Sequence, residues 1–550
     1  MASSKRININ IDQVFDPIRS SSIFQYLYSI EIEENVNEIQ MDKEFYFELS
    51  DITSFTTSDW DGNKFYKMLR SLRYWEISIP IEILQYAFRY IDPVTQLYLL
   101  NIGQDVSASY CLKEIELIVK SEHLCRDACE IGSLNLLKVA IENNCSIDYK
   151  ICYTAAEYNN LDCLQYAFAN GCPLRDDNGN SPILIACQTG YLEIVKFLVT
   201  TQGIYINESN PNGFTPLVLS AGKGHIEVVK FLLIVPDIDI NLWTQGEVTP
   251  FSSACENGHL DVVKLLAGLP NIDLNIPDDE ERTGFTMACV NNHLEIVQFL
   301  STLNGIQISS QDFYRTSLEN CIDVIKFLVT LNDRFDMNDN DLVEEGYTAF
   351  NIACIKGNLG CVQFLATVPG IDLNKEDYEG CSPFYNACSE NNIEIVKFLA
   401  TVPGIDLNQV DTAFCSPFNV ACYYGNIEIV KFLISLGNRI NFAQLDDQNK
   451  TALNLACYMN KLEIVKLLVT GLPEFDVNIV DDNGLTPFNT ACYYGHIEIV
   501  KFLATIPHVD INKADNDGHT PIDNALKVYE PDGTHYFEIA DFLNGIKEDI

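Results

Sequence analysis

Four histidines are the residues of this chain best suited to acid–base catalysis or metal binding, because imidazole titrates near neutral pH and is a common metal ligand. All four recur at one position of a repeated unit, at the start of a helix. A side chain that returns once per repeat is expected to serve the repeat itself, so we predict no catalytic or metal-binding role. They are His225, His259, His293 and His496.

The short motifs of common enzymes are missing from the sequence. It has no Gly-x-x-x-x-Gly-Lys loop for phosphate, no Gly-x-Gly-x-x-Gly, no His-Glu-x-x-His and no Gly-x-Ser-x-Gly. The segment from Met1 to Ser121 has no histidine and no nucleophile constellation. We therefore predict that the protein is not an enzyme and uses no cofactor.

Aspartate-rich turns are candidates for calcium sites. A calcium loop needs an oxygen ligand at position one and a glutamate at position twelve around a glycine at six. Placing Gly484 at six puts Ile479 first and Thr490 last, and the turn at Gly518 fails in the same way. We predict solvated turn tips and no bound metal.

The 19 cysteines include no Cys-x-x-Cys pair, which argues against zinc. Eight of them follow an alanine at one repeated position, as expected of small buried packing groups with free thiols. These are Cys187, Cys255, Cys289, Cys354, Cys388, Cys422, Cys457 and Cys492.

The chain is strongly acidic, with 77 acidic and 35 basic side chains and a net charge of −42. Binding to nucleic acid or anionic lipid is driven by clustered lysine and arginine. We therefore expect neither nucleic acid nor a membrane surface as the partner, and a protein with a basic surface fits better.

No apolar run reaches the roughly 18 residues that a membrane span needs. The segment Met1–Gln13 has no apolar core of a secretory signal. We predict a cytoplasmic protein, although the sequence does not separate the cytosol from the nucleus.

A unit of about 34 residues recurs along the chain, and its clearest copy runs from Asn483 to Leu503. Thr486 is suited to cap a helix, and Pro487 to occupy its first position. Phe488, Ala491 and Cys492 then share one helix face. Gly495 is predicted to end this helix, and a second helix to follow from Ile497. So small a helix pair cannot bury its own apolar face, which predicts stacking on neighbouring copies.

The pattern Gly-x-Thr-Pro-Leu, followed by Gly-His and Ile-Val-x-x-Leu, resembles the ankyrin repeat; here it runs from Gly213 to Leu232. The resemblance covers about residues 122–550 and implies an all-α solenoid of 12–13 helix–turn–helix units joined by β-hairpin turns. The family's usual histidine after Pro-Leu is replaced, for example by Asn489 or Tyr385. Asparagine can still bond to the backbone there, which tyrosine cannot do in the same way.

The period breaks once, which suggests a division of the repeats. Val297 and Ile325 are closer in sequence than their counterparts in other units. We predict a shortened first helix followed by a long acidic loop, Asn332–Glu345. The predicted domains are 1–121, a non-repeat segment; 122–311, a first arm; 312–345, a degenerate repeat and hinge; and 346–550, a second arm with a C-terminal cap. A tolerated deletion is the alternative to a hinge.

The segment 1–121 shows no repeat, and a small α or α+β fold is expected. Residues Phe65–Tyr74 with Leu84–Phe88 resemble the back half of a BTB/POZ domain, although the front half is missing. A small helical lead-in packed on the first repeat is the alternative.

The surface of the repeats carries the predicted function. Aromatic residues follow the Ala-Cys pair in several units, near the exposed end of the first helix, and others lie on the turns. Exposed aromatics in a row across neighbouring units are typical of binding surfaces; packing between repeats is the alternative. The candidates are Trp243, Tyr378, Phe414, Tyr423, Tyr424, Tyr458, Tyr493 and Tyr494.

These features predict a protein–protein interaction scaffold or adaptor that binds its partner on the concave face that the resemblance implies. A substrate adaptor of a ubiquitin ligase, with a BTB-like domain in residues 1–121, is the alternative function. An enzyme with its site in that segment ranks last.

Overall fold

The computed structural model describes residues 124–142, 145–176, 179–472, 476–527 and 534–548. The predictions for residues 1–121, including the BTB-like resemblance, lie outside these residues. Within them the chain is all-α, with 26 α-helices, no strand, and two short 3₁₀ turns at Val329–Leu331 and Gly437–Arg439. The helices form thirteen consecutive pairs, which confirms the predicted fold class.

The chain divides into two units, at Pro250 and Phe251. The first contains α1 (Leu124–Glu130), α2 (Leu134–Glu142), α3 (Tyr149–Glu157), α4 (Leu161–Ala169), α5 (Pro182–Thr189), α6 (Leu192–Val199), α7 (Pro216–Gly222) and α8 (Ile226–Leu232).

The helix α9 (Pro250–Glu256) begins at the division. The second unit continues with α10 (Leu260–Ala267), α11 (Gly284–Val290), α12 (Leu294–Ser301), α13 (Ser310–Leu318), α14 (Ile322–Leu328), α15 (Ala349–Ile355), α16 (Leu359–Leu365), α17 (Pro383–Ser389), α18 (Ile393–Leu399), α19 (Pro417–Tyr424), α20 (Ile427–Ser435), α21 (Ala452–Tyr458), α22 (Leu462–Gly471), α23 (Pro487–Tyr493), α24 (Ile497–Ala504), α25 (Pro521–Lys527) and α26 (Thr534–Glu548).

Each unit is built from two layers of helices. In the first unit α1, α3, α5 and α7 pack in one row, while α2 packs against α4 and α6 against α8. In the second unit the first helices pack in a row from α11 to α25, and the second helices in a row from α10 to α26. Each apolar helix face is thus covered by the next copy, as a pair too small to bury its own side requires.

The first helix of each repeat begins and packs as its sequence predicts. The Thr486 hydroxyl accepts the N–H of Asn489 at 3.1 Å, and Pro487 follows at the first helical position. Phe488, Ala491 and Cys492 are at most 1% exposed. The other seven cysteines of the Ala-Cys position are equally buried, which confirms their prediction as packing groups.

A left-handed residue ends each first helix. Gly495 has a φ of 78°, and the N–H of His496 donates to the Ala491 carbonyl at 2.9 Å, as in a Schellman cap. Asparagine, the side chain that best tolerates this conformation, replaces the glycine in several repeats, for example Asn391 with φ 61°.

The recurring histidine position joins several repeats to the preceding first helix. The Nε2 of His496 lies 3.1 Å from the Tyr458 carbonyl, and the Nε2 of His293 lies 2.9 Å from that of Glu256. Asparagine fills the same position elsewhere: the Asn426 amide donates to the carbonyls of Cys388 and Ser389. These side chains satisfy backbone oxygens at a helix end, which supports the predicted structural role.

The position after Pro-Leu also departs from the family pattern as expected. The Asn489 amide donates to the Lys513 carbonyl at 3.3 Å, so asparagine does bond to backbone. Tyr385 instead donates its hydroxyl to the Asp411 carboxylate at 2.8 Å.

A row of asparagines in the loops ties successive repeats together. The Nδ2 of Asn374 donates to the Gly404 carbonyl at 2.7 Å, and its Oδ1 accepts the Asp406 N–H at 2.8 Å. The side-chain amide thus pairs with the next loop as a peptide group would. The same two bonds are made by Asn207, Asn275, Asn338, Asn408 and Asn478.

The turn tips are held by backbone hydrogen bonds between repeats. The Asp482 N–H donates to the Gln448 carbonyl, and the Asn516 N–H donates to that of Asn483, both at 3.0 Å. Gly484, with φ 76°, lies so close that a Cβ atom would come within 2.7 Å of the Asn516 nitrogen. Only glycine allows this approach.

The prediction of a shortened first helix near Asp312 is wrong. The helix α13 has nine residues, while α11 has seven. Residues 302–309 alone separate α12 from α13, whereas residues 268–283 separate α10 from α11. The missing residues are therefore those of the turn. The helix begins directly after the loop because the Asp312 carboxylate accepts the Ser309 N–H at 2.8 Å in a capping box.

The predicted hinge at 312–345 stays a prediction. The helix α13 packs against both α11 and α15. Arg315 reaches the turn of the preceding repeat, where its Nη2 donates to the Glu280 carbonyl at 2.7 Å.

Asn374→Ala tests the inter-repeat asparagines. Loss of two hydrogen bonds is expected to cost about 1–2 kcal/mol locally and to speed hydrogen exchange at the Asp406 amide, which loses its acceptor. Asn512 occupies the corresponding position of the last turn and makes no such bond to another repeat within the described residues, so Asn512→Ala serves as the control. Unchanged exchange at Asp406 in the Asn374→Ala chain would contradict this role.

His496→Asn tests the histidine position. Burial lowers the pKa of His496 below its ordinary value, so the unfolded chain binds the proton more readily. The stability that neutral His496 contributes is complete above about pH 6.5 and is lost as pH falls through its lowered pKa. We expect the urea midpoint to drop less between pH 7.5 and 5 in His496→Asn than in the parent. An exposed-loop control, His508→Asn, should behave as the parent; equal drops in all three chains refute the assignment.

Candidate protein-binding surface

Five of the predicted tyrosines lie together at the ends of three successive first helices. Tyr423 and Tyr424 close α19, Tyr458 closes α21, and Tyr493 closes α23 with Tyr494 as its C-cap. They share this place because the helix axes run side by side and the Ala-Cys pair fixes the same face inward in each. We call these five residues the tyrosine cluster.

The rings of the tyrosine cluster contact one another across repeats. Tyr423 stacks near Tyr458 with ring centroids 6.4 Å apart and an interplanar angle of 25°. Tyr458 and Tyr494 meet edge to face, with ring centroids 4.7 Å apart and an interplanar angle of 89°. Within repeats, Tyr424 and Tyr493 lie about as close to their neighbouring tyrosines, at 5.1 and 5.0 Å. Such offset and edge-on geometries suit aromatic quadrupoles, so the rings hold each other in place.

The tyrosine cluster also remains open to solvent. Tyr424 is 51% exposed, Tyr494 40% and Tyr493 37%, while Tyr423 and Tyr458 are half-buried. Both sequence-based interpretations thus describe part of the arrangement: the rings pack between repeats and still present aromatic area. A contiguous exposed aromatic group on rigid helix ends is suited to binding another macromolecule.

A lysine lies over one ring of the tyrosine cluster. The Nζ of Lys450 is 5.1 Å from the centroid of Tyr458, within the range of a cation–π interaction. The same ammonium donates to Gln448 Oε1 at 2.7 Å. The face of Tyr458 therefore already holds a cation in the free chain.

Carboxylates surround the tyrosine cluster. Partial burial raises the pKa of Tyr424, with further contributions from Tyr423 and the carboxylate of Glu390. Burial likewise raises the pKa of Tyr494, followed by its tyrosine neighbours and Asp481. The hydroxyls therefore stay protonated at neutral pH and can act as donors.

The turn that carries Lys450 is itself acidic. The Asp446 carboxylate accepts the backbone N–H groups of Gln448 and Lys450 at 2.9 and 2.7 Å. Asp447 and Asp482 are exposed on this turn and the next. A second cation, Lys461, packs its chain against Gly425, where an added Cβ would lie 2.8 Å from its Cδ. Within these turns the acids outnumber the lysines.

The three predicted turn aromatics are exposed. Trp243 lies on a turn of the first unit. Tyr378 donates its hydroxyl to Asp341 at 2.7 Å, and Phe414 adopts a φ of 57° on the following turn. The backbone bond from Thr412 to Glu379 joins those two turns. No ring contact links the three to the tyrosine cluster in the described part of the chain.

Sequence reasoning did not anticipate two features. Lys450 precedes a helix cap, and nothing in its spacing indicates that its side chain crosses to Tyr458. Tyr205 and Ile234 are among the most exposed large side chains of the first unit. They replace polar residues of the recurring loop, such as Asp372 and Thr367, and were not singled out from the sequence.

A groove of about 680 Å³ lies in the second-helix layer, between α18, α20 and α22. Its charged lining is already paired, Glu428 with Lys431 at 2.7 Å and Glu463 with Lys466 at 2.8 Å. Among the described residues no group of three or more His, Cys, Asp or Glu side chains could hold a metal ion. In the same residues no helix is long and apolar enough to cross a bilayer.

Comparisons with known proteins agree with this architecture. A family model described as ankyrin repeats (3 copies) matches residues 124–210, 152–243, 234–312, 314–411 and 403–479. A second, ankyrin repeats (many copies), matches residues 474–525. A search of curated proteins gives no match. Together the two models span about three quarters of the chain, and they cover the helix pairs that carry the tyrosine cluster. The chain therefore belongs to the ankyrin-repeat family.

Proposed function

We propose that this protein is an interaction scaffold or adaptor that holds a partner protein on the surface formed by its first helices and turns, the concave face of the family. The observation that carries the proposal is the tyrosine cluster, five rings that contact each other across three repeats, three of them exposed and two half-buried. Ankyrin repeats are protein-interaction modules, and the fold supplies the mode of binding but no target.

Tyrosine suits such a surface for a physical reason. Its ring offers a large contact area with only two rotatable bonds, so little conformational entropy is lost on binding. Part of this conformational entropy is already lost in the free chain, because Tyr458 lies between Tyr423 and Tyr494. Preorganised aromatic anchors of this kind carry most of the energy at many interfaces.

The proposed partner has a basic surface. The chain carries a net charge of −42, and the exposed acids Asp447 and Asp482 lie on the turns that precede α21 and α23. Complementary charge mainly speeds the encounter and selects among partners. The turn aromatics Tyr378 and Phe414 are proposed as further contacts on the second unit, and Trp243 as a contact on the first unit.

The adaptor role requires a second binding region, and residues 1–121 are its proposed location. Recruitment of a ubiquitin ligase through those residues is the alternative function, and it depends on their BTB-like resemblance. A ligase component recovered with the full chain and lost after deletion of residues 1–121 would support that alternative.

Replacing Tyr423, Tyr424, Tyr493 and Tyr494 with alanine tests the proposal. Removal of these four rings is expected to weaken partner binding at least tenfold. The partner loses aromatic contact area, and Tyr458 loses the neighbouring rings of Tyr423 and Tyr494. The full-length chain and the variant serve as baits, and recovered proteins are quantified by mass spectrometry. The affinity of the main partner is then measured with purified chains.

The matched control replaces Tyr158 and Tyr205, which are exposed tyrosines outside the tyrosine cluster. That chain should keep the partner. Circular dichroism of all chains checks that the helices persist. Partner recovery that stays the same in the four-tyrosine variant refutes the proposed surface.

A further inference from the structure

The ring of Tyr458 is occupied by a cation from its own chain, and this occupation points to what binds there. Lys450 places its Nζ 5.1 Å from the ring centroid. We propose that Tyr458 is a subsite for an arginine side chain in an extended segment of the partner, and that Lys450 holds the subsite until the arginine displaces it. The inference rests on the proposed function and names the chemistry of the partner.

Lys450 is easily displaced. Its backbone, and not its side chain, makes the bonds that build the turn: its N–H donates to Asp446 at 2.7 Å, and its carbonyl accepts from the Asp446 N–H at 3.1 Å. Within the described residues its ammonium makes one hydrogen bond, to the exposed side chain of Gln448, and it is also attracted to the Asp446 carboxylate of the same turn. The ammonium can therefore leave the ring without disturbing the fold.

Arginine is the better occupant of this ring. A guanidinium is planar and more weakly hydrated than an ammonium, so it stacks on an aromatic face at a lower desolvation cost. The ring of Tyr423 stands nearly parallel to that of Tyr458, at 25°, with centroids 6.4 Å apart. The aromatic surface at this place is thus wider than one ring, and a planar guanidinium stacks on it more closely than a compact ammonium does.

The surrounding charge favours the exchange. Glu390 and Asp481 act on the hydroxyls of Tyr424 and Tyr494, and Asp447 and Asp482 are exposed on the adjoining turns. Asp482 accepts from the Asn449 amide at 2.6 Å, which fixes one carboxylate next to the lysine turn. These acids attract a basic segment, while Lys450 and Lys461 are the cations that oppose it.

Substitutions at Lys450 give a signature that a merely structural residue would not. Lys450→Met vacates the ring and removes a repelling charge, so an arginine ligand should bind about two- to fivefold more tightly. Lys450→Arg supplies a stronger internal occupant and should weaken binding. Tyr458→Leu removes the ring and should weaken binding about five- to tenfold, while the Tyr458 backbone carbonyl can still accept from His496.

The test uses the full chain and three labelled Gly-Ser dodecapeptides that carry three arginines, three lysines or three citrullines. Citrulline has the shape of arginine without its charge. Fluorescence anisotropy is measured at 150 mM salt, where long-range attraction to the acidic chain is screened. We expect the arginine peptide to bind several-fold more tightly than the lysine peptide, and the citrulline peptide least.

Lys513→Met is the charge-matched control, since Lys513 is exposed and lies over no ring in the described part of the chain. It should leave the preference for arginine unchanged. The inference is overturned if no arginine peptide binds, if arginine and lysine peptides bind equally, or if Lys450→Met behaves as Lys513→Met. The two proposals can fail separately. If the four-tyrosine variant loses its partner but the peptide experiment gives any of these results, the proposed function is supported and only the arginine subsite is refuted.

Discussion

A pair of helices of seven to ten residues cannot bury its own apolar face. The packing and the hydrogen bonds between the described repeats follow from that constraint. Phe488, Ala491 and Cys492 are shielded only because α21 and α25 lie on either side of α23. The polar backbone meets the same limit, since short helices and loops leave many groups without partners inside one repeat. The asparagine and histidine side chains supply those partners across the joint, as Asn374 does for the Asp406 N–H and His496 for the Tyr458 carbonyl.

The tyrosine cluster is a by-product of this stacking. The small Ala-Cys pair must face inward in every copy, so the two residues after it are carried to the same edge of the stack each time. Residues at that edge are only partly buried or exposed, so they are polar in some repeats and aromatic in the repeats that contain α19, α21 and α23. Because three successive repeats carry tyrosine at this edge, their rings form one patch. The backbone of the three helix ends fixes the geometry of that patch.

Sequence predicted what is local and repeated, and failed where the determining contact is distant. Thr486, Pro487 and the buried cysteines follow from spacing within one unit. The inter-repeat bonds of Asn374 join residues about thirty positions apart, and no local pattern shows that both groups of the amide are used. At α13 the shortened period showed that residues are missing from the repeat but not whether the helix or the turn lacks them. The helix is complete because Ser309 and Asp312 form a capping box at its start. The meeting of the five tyrosines could be anticipated from their shared position, but the placing of Lys450 over Tyr458 could not.

The position of the tyrosines on the helices bears on the sign of charge they accept. All five lie at the carboxyl ends of short helices, where the aligned peptide dipoles place partial negative charge. Three such ends, from α19, α21 and α23, meet at this edge of the second unit. Aromatic faces are negative at their centres, and the nearby side chains Glu390 and Asp481 add full charges. Dipoles, ring quadrupoles and carboxylates therefore act in one direction, so a cation is stabilised here while an acidic segment of equal shape is repelled. Lys450, whose ammonium lies over Tyr458, is a cation of the chain itself that this negative potential stabilises.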